Sequence, residues 1–285
     1  MFLTPMLLAK REDPFDDPRY LYEPKIDGHR AIFSIENGVA RIYTRHHSDV
    51  TRQYPELHEV PIADDSDMVL DGEIAVVDLE TGAVDFEAVM RRFQLRKAEK
   101  IRVAAATQPV HFFAFDILRY KGMDLRKLPL IERKEILAAA LDNSPYFSRV
   151  LSVENEGTAL FNVIKERKLE GIVAKQKSGV YVGRRSESWQ KIINYTYADV
   201  YISGYLKNQF GWLVEYNGRP AGIIEFDSTV PAAQKQAFYS VARKLVTGED
   251  RNFVYVEPMI EARVRFRNWT KSGKMRSPEF VGFTV

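Results

Sequence analysis

The chain contains no cysteine in its 285 residues. That excludes disulfide cross-links, thiolate metal sites and a cysteine nucleophile. Long apolar runs are also missing. The amino-terminal stretch MFLTPMLLAKRED carries an apolar patch broken by Pro5, too short to span a bilayer and without a small-residue cleavage site. A cytoplasmic protein with no membrane partner is expected. Net charge is only +2, so bulk charge does not point to nucleic acid, and local patches must supply any phosphate binding. There is no internal repeat and no low-complexity segment. What is present, 45% hydrophobic and 28% charged residues, suits one large or two ordinary globular domains.

The stretch that organises the rest is EPKIDGHR, residues 23–30. It reads as a short turn between two extended segments. Lysine attacks phosphorus only as the neutral amine, and burial among cations promotes that form. Asp27 can orient the Lys25 amine, Gly28 permits close backbone approach, and Arg30 can hold a phosphate in forked geometry. Alone, such a stretch is most often just a solvated loop, because Asp-Gly is a common turn dipeptide.

Taken in order, residues 1–19 read as an irregular lead-in, with Pro5, Pro14 and Pro18 opposing regular structure. Strands are expected at Tyr20–Glu23, at Arg30–Ile35 with Ala31, Phe33 and Ile35 on one face, and at Val39–Thr44 after an Asn37-Gly38 turn. Residues 44–51 form a basic loop. Met68–Asp78 reads as a strand interrupted at Asp71-Gly72-Glu73, and Asp85–Lys97 as a single amphipathic helix. Val110–Leu118 and Glu170–Lys175 read as strands. Leu130–Leu141 and Thr158–Lys168 read as helices, the latter with Leu160, Val163 and Ile164 inward. Ser178–Ser188 is a basic loop before a strand at Trp189–Ile193. Beyond Tyr197 come short strands at Asp199–Leu206, Trp212–Tyr216, Gly222–Phe226 and Glu261–Trp269, and a last one near Phe280. They surround one helix, Ala232–Leu245, with Ala237, Phe238, Val241 and Leu245 inward, a texture suiting a small OB-type barrel.

Four further stretches carry residues capable of chemistry, and each also has a plain structural reading. In LDGEIAVVD, Glu73 is either an exposed acid at a turn or a carboxylate for a ribose hydroxyl or magnesium. In FFAFDIL the phenylalanines are core, or one of them stacks on a purine. In EGIVAK, Glu170 and Lys175 are strand ends, or a metal ligand and a phosphate contact. Simple alternation sends them to opposite faces unless a twist or bulge intervenes. In GRRSESWQKII, Arg184, Arg185 and Lys191 are a solvated cluster or a phosphate site.

Together KIDGHR, TRHH, LDGE, FAFD, EGIVAK and WQK resemble, in order, the nucleotidyltransferase motifs of ATP-dependent DNA ligases. The resemblance spans nearly the whole chain, and its texture is most similar to the compact bacterial type related to ligase D. It implies an α+β fold, with an adenylation domain at 1–196 built of antiparallel sheets and flanking helices, then an OB-fold at 197–285. It implies an enzyme that seals 3′-OH/5′-phosphate nicks in duplex DNA with ATP and Mg²⁺ or Mn²⁺. Lys25 would take AMP as a lysyl phosphoramidate. Glu23 would help read adenine, largely through its backbone, and Phe115 would stack on it. Arg30 and Arg45 would contact nucleotide or nick phosphates. Glu73 would meet the ribose or a metal, and Glu170 a metal. Lys175 and Lys191 would hold the α-phosphate, with Arg184 or Arg185 nearby.

Two departures stand against the pattern. Ile193 occupies the place of the second lysine of W-x-K-x-K, and the chain ends RSPEFVGFTV without the R-x-D-K element. A basic tail of Arg263, Arg265, Arg267, Lys271, Lys274 and Arg276 either substitutes for it or only binds DNA; Arg263, Arg265 and Arg267 share one strand face, which is a solvated face or a phosphate track. The competing readings are an RNA ligase, a capping-type guanylyltransferase, and a weakly active DNA-end-binding module. No DNA-binding domain is expected ahead of the lysine motif. A monomer is expected, recruited by a Ku-type end-binding protein and associated with the nucleoid.

Overall fold

The computed structural model describes all residues except 63, 65, 79–81 and 285. The chain divides into two compact units, Met1–Asn194 and Tyr195–Val285. Strands in the first unit are β1 (Leu7–Arg11), β2 (Tyr20–Pro24), β3 (His29–Glu36), β4 (Val39–Thr44), β5 (Met68–Ala75), β6 (His111–Tyr120), β7 (Met123–Asp124), β8 (Phe147–Arg149), β9 (Val153–Glu154), β10 (Gly171–Gln176) and β11 (Arg185–Ile193). Its helices are α1 (Phe86–Gln94), α2 (Ala98–Thr107), α3 (Leu130–Ala140) and α4 (Gly157–Glu166).

These strands form two sheets, one in the order β1-β11-β10-β2-β9 and one in the order β4-β3-β5-β6-β7 with β8 beside β6. Side-chain alternation explains the layering. Ile32, Val69 and Leu118 from one sheet pack with Leu21 and Trp189 from the other. The reverse face of the second sheet buries Ala31, Phe33, Ile35, Leu70 and Phe112 with Val89 of α1. The reverse face of the first buries Tyr22, Ile172, Ala174 and Ile192 against Ile164 of α4.

Several elements differ from the sequence-based expectation. The lead-in contains β1, five residues between prolines, which pairs in parallel with β11 and shifts register between Leu8 and Ala9. Asp85 caps α1 by accepting from the Ala88 N–H at 2.9 Å, but α1 ends at Gln94. Leu95 is extended, and α2 then begins separately at Ala98. β5 runs unbroken through Asp71-Gly72-Glu73. Val163 faces outward.

The second unit is antiparallel, with β12 (Thr196–Leu206), β13 (Trp212–Tyr216), β14 (Arg219–Ile224), β15 (Val246–Glu249), β16 (Phe253–Phe266) and β17 (Glu279–Phe283), and one helix, α5 (Ala232–Ala242). Its core centres on Trp212, with Phe238, Phe266 and Phe280 around it. α5 turns Phe238 and Ala242 inward and leaves Ala237 and Val241 exposed, because these inward residues are four apart. β16 begins eight residues before the expected Glu261. Of the basic stripe, Arg263 donates to Asp199 at 2.8 Å and Arg265 to Glu279 at 3.0 Å. Among the described residues no helix is long and apolar enough to cross a membrane.

Candidate active site

The site lies in the first unit, where a pocket is walled by Glu23, Lys25, Arg30, Glu73, Phe115 and Lys175, with Trp189 behind. Lys25 follows β2 directly and starts the connection to β3. Its backbone N–H donates to the Gly171 carbonyl at 2.8 Å, and its Nζ donates to Glu170 Oε2 at 2.7 Å. Glycine is required at two places here. A Cβ on Gly28 would stand 2.3 Å from the Ile74 carbonyl oxygen, so the turn can lie on β5 only without a side chain. Gly171 has φ +151°, and a Cβ there would stand 2.1 Å from the Ile192 carbonyl oxygen. That glycine is the first residue of β10 and Glu170 lies outside the strand, so strand alternation does not extend back to Glu170. Both Glu170 and Lys175 can then serve the same pocket.

The D-G-E strand contributes two acids. Asp71 and Glu73 are two apart and share a face. Asp71 is fully buried and receives the fork of Arg30, Nε at 2.6 Å and Nη2 at 2.5 Å, together with the Tyr181 hydroxyl at 2.6 Å. Arg30 Nη2 also donates to the Met6 carbonyl at 3.3 Å, and the Met6 N–H donates to the Tyr181 hydroxyl at 2.9 Å. The forked geometry anticipated for phosphate is therefore taken by Asp71. Burial pushes the Glu73 carboxyl up to about 7, the nearby charges of Glu170 and Asp71 add to this, and Lys25 and Arg30 oppose it.

Phe115 lines the pocket and lies at a bulge of β6. Asp71 pairs with Asp116 and Gly72 with Ala114, which leaves Phe115 as the extra residue of β6. Its ring carries Arg30 at 4.5 Å and Lys175 Nζ at 4.3 Å, and its edge meets Trp189. The next residue, Asp116, is fully buried and holds Arg133 through Oδ1 at 2.8 Å and Oδ2 at 2.9 Å.

Lys175 is 2% exposed and pairs with Glu23 Oε2 at 2.6 Å, while Lys134 of α3 pairs with Oε1 at 2.5 Å. Burial pushes the Lys175 amine down to about 8; Glu23 opposes this and Lys134 reinforces it. Lys191 stands two residues past Trp189 on the same strand face, opposite the pocket residue Val173. Ile193 is next on that face, opposite Gly171.

The remaining candidates lie outside the pocket lining. Arg45 is exposed and donates to His46 Nε2 at 2.9 Å. Arg184 is exposed, and its carbonyl accepts from the Leu7 N–H at 3.1 Å. Arg185 donates to the Leu8 carbonyl. The sequence reading missed Asp71, Tyr181, Lys134 and Arg133. Only Asp71 had a local signal, its period-two spacing from Glu73.

Among the described residues no group of three or more His, Cys, Asp or Glu side chains is arranged to hold a metal ion. Glu73 and Glu170 nevertheless provide hard oxygens close enough to feel each other's charge. That donor set fits Mg²⁺, which is commonly held by one or two carboxylates plus substrate phosphates.

The ATP dependent DNA ligase domain model matches residues 5–192. The SPbeta prophage-derived DNA ligase-like protein LigB of Bacillus subtilis is 38% identical over 287 residues, covering 100% of both chains. The multifunctional non-homologous end joining DNA repair protein LigD of Mycobacterium tuberculosis is 25% identical over 93% of this chain, which spans only 36% of LigD. The fold is that of a mycobacterial DNA ligase D complexed with ATP and MES (TM-score 0.60, 24% identity, 99% of this chain and 95% of that one). It is also that of a Lig E DNA ligase (TM-score 0.70, 17% identity, 99% and 100%). The architecture is accordingly an α+β nucleotidyltransferase domain followed by an OB-fold. With a family model covering more than half of its length and a relative aligned from end to end, this chain belongs to the ATP-dependent DNA ligases.

Proposed function

We propose that the protein seals 3′-OH/5′-phosphate nicks in duplex DNA, with ATP as the adenylate donor and Lys25 as the nucleophile. The observation that carries this reading is the Lys25–Glu170 contact of 2.7 Å at the mouth of a pocket that also holds Glu73 and Phe115. In this reading Glu170 sets the amine's position. An N–P bond forms at Lys25 as the P–O bond to pyrophosphate breaks. AMP then passes to a 5′-phosphate, and a 3′-hydroxyl displaces it.

Attack on phosphorus depends on placement and on positive charge where negative charge accumulates. Lys191 supplies positive charge from the chain, and Lys25 attacks as the neutral amine; Lys175, also expected at the α-phosphate, is paired with Glu23 instead. Phe115 packs on the purine and Glu23 reads its edge. Glu73 and Glu170 would hold Mg²⁺ or Mn²⁺, which neutralises phosphate charge when bound. Arg45, Arg184 and Arg185, outside the pocket, are assigned to DNA phosphates. The OB-fold unit, taken as 197–285, is assigned the grip on duplex DNA. The protein acts as a monomer at the nucleoid. A Ku-type end-binding protein is its proposed recruiter, a role suggested by the end-joining relatives.

The test is incubation with α-labelled ATP and Mg²⁺. A labelled protein band is expected, lost in Lys25→Ala, together with sealing of nicked DNA. Absence of label in the wild-type protein favours a DNA-end-binding module. Label from GTP alone favours a capping enzyme, and sealing confined to nicked RNA favours an RNA ligase.

A further inference from the structure

Lys134 lies outside every motif in the sequence, yet its ammonium reaches the carboxylate of a pocket residue. It stands 2.5 Å from Glu23 Oε1, while Lys175 stands 2.6 Å from Oε2 on the other side. The Lys134 amine also donates to the Val150 carbonyl at 3.3 Å, which ties it to the chain beyond β8. These close ion pairs are poorly directed. Neither Glu23 Oε1 nor Lys175 Nζ makes an aligned hydrogen bond, although both atoms are buried and both side chains line the pocket. A buried acceptor beside a buried donor, neither with an aligned partner, is unfavourable unless a ligand completes it.

The ligand edge that completes this pair has a donor next to an acceptor. A 6-aminopurine offers that edge, with its exocyclic amino group facing the carboxylate and N1 facing the ammonium. A 6-oxopurine offers the reverse. Its carbonyl oxygen would face the carboxylate, and its N1–H would face the ammonium.

We propose that Lys134 is a positioning residue that fixes Glu23 and Lys175 as an acceptor–donor edge, and so selects a 6-aminopurine nucleotide over a 6-oxopurine nucleotide. This rests on the reading that the pocket takes a purine nucleoside triphosphate. Burial pushes the Glu23 carboxyl up, but the charges of Lys134 and Lys175 outweigh burial and hold it below its usual range. With Lys134 removed, one cation remains to oppose burial. The carboxyl group is then freer to turn and to exist as the neutral acid, whose O–H can donate to a 6-oxo group.

The experiment measures transfer of label from α-labelled ATP and from α-labelled GTP to the full-length protein with Mg²⁺, as kcat and KM for each. In Lys134→Met the ATP-to-GTP ratio of kcat/KM is expected to fall about tenfold, which is about 1.4 kcal/mol. Most of the change should appear as a higher KM for ATP, and Lys134→Arg should restore the ratio. A purely structural lysine would lower both nucleotides alike, so an unchanged ratio overturns the proposal. If Lys134→Met does not fold, the same ratio is read in Lys134→Gln, with the same expectation. If the wild-type protein takes no label from ATP, the ligase reading fails first and the selectivity proposal falls with it.

Discussion

Lys25 Nζ and Glu170 Oε2 stand 2.7 Å apart although 145 residues separate them in sequence. The Lys25 N–H is also fixed to the neighbouring Gly171 carbonyl at 2.8 Å. Side chain and backbone of Lys25, the proposed nucleophile, are thus both referenced to the EGIVAK segment. Glu170→Gln keeps the shape and removes the charge. Its labelling by ATP is expected to fall about 10²-fold, as misplacement of a reacting group by about 1 Å does. A labelling rate within twofold of wild type would remove Glu170 from the site.

Glu73 should give the protein a pH signature near neutrality. Its carboxyl is pushed from 4.5 up to about 7, so between those values the folded chain holds a proton that the unfolded chain releases. The associated stability is fully present below 4.5 and is lost as pH rises through about 7. Melting of Glu73→Gln, compared with wild type, should therefore be relatively higher at pH 8 than at pH 5. Metal binding needs the carboxylate, so half-saturation by Mg²⁺ in the labelling assay should move to lower concentration from pH 6 to pH 8. Identical pH trends in Glu73→Gln would contradict both expectations.

Gly28→Ala places a Cβ 2.3 Å from the Ile74 carbonyl oxygen and 2.8 Å from Glu73 Cγ. The backbone has to move, and the Lys25 turn moves with it. Label formation is expected to drop at least tenfold while the OB-fold unit keeps its native spectroscopic signature. Wild-type labelling would show that the turn tolerates lifting off β5.

Arg133 and Asp116 are both fully buried, and Arg133 also donates to the Leu128 and Gly179 carbonyls. Removing one partner leaves a buried charge uncompensated. Arg133→Met is expected to destabilise the first unit by about 3–5 kcal/mol, read by denaturant unfolding. The paired change Arg133→Met with Asp116→Leu should recover much of that loss. Equal instability of the single and paired variants would point to lost carbonyl contacts instead.

Arg263 and Arg265 are held by Asp199 and Glu279, so they are poor candidates for phosphate tracking. Each cation that neutralises a duplex phosphate contributes about 0.9 to the salt slope of binding. Changing both arginines to alanine is expected to move the slope for nicked DNA by less than one. A fall of about two would show that DNA draws them from their acidic partners.

The pocket was legible in the sequence to the extent that its parts are local. The turn at 25–28, the strand carrying Glu73 and the strand carrying Lys175 all follow from short patterns. Contacts between distant segments left no such trace. Nothing in the sequence around Lys134 or Tyr181 marks them as partners of Glu23 and Asp71. Only packing of the two sheets and α3 brings them together. α2 was missed because AEKIRVAAAT buries only Ile101 and has no apolar stripe. β1 was missed because prolines on both sides hid a short edge strand. Phe115 illustrates a third limit. Its face follows from alternation with Ala114, but the bulge that brings Asp116 onto the same face left no trace in the sequence.

Met6 touches the Arg30–Asp71–Tyr181 network through both its N–H and its carbonyl. A purification handle or fusion joined ahead of residue 1 therefore pulls on a short tether that ends at Arg30, a residue of the pocket wall. Mechanical load or a rigid linker at that end would act as an unintended inhibitor, whereas a long, pliant spacer would leave the chemistry undisturbed.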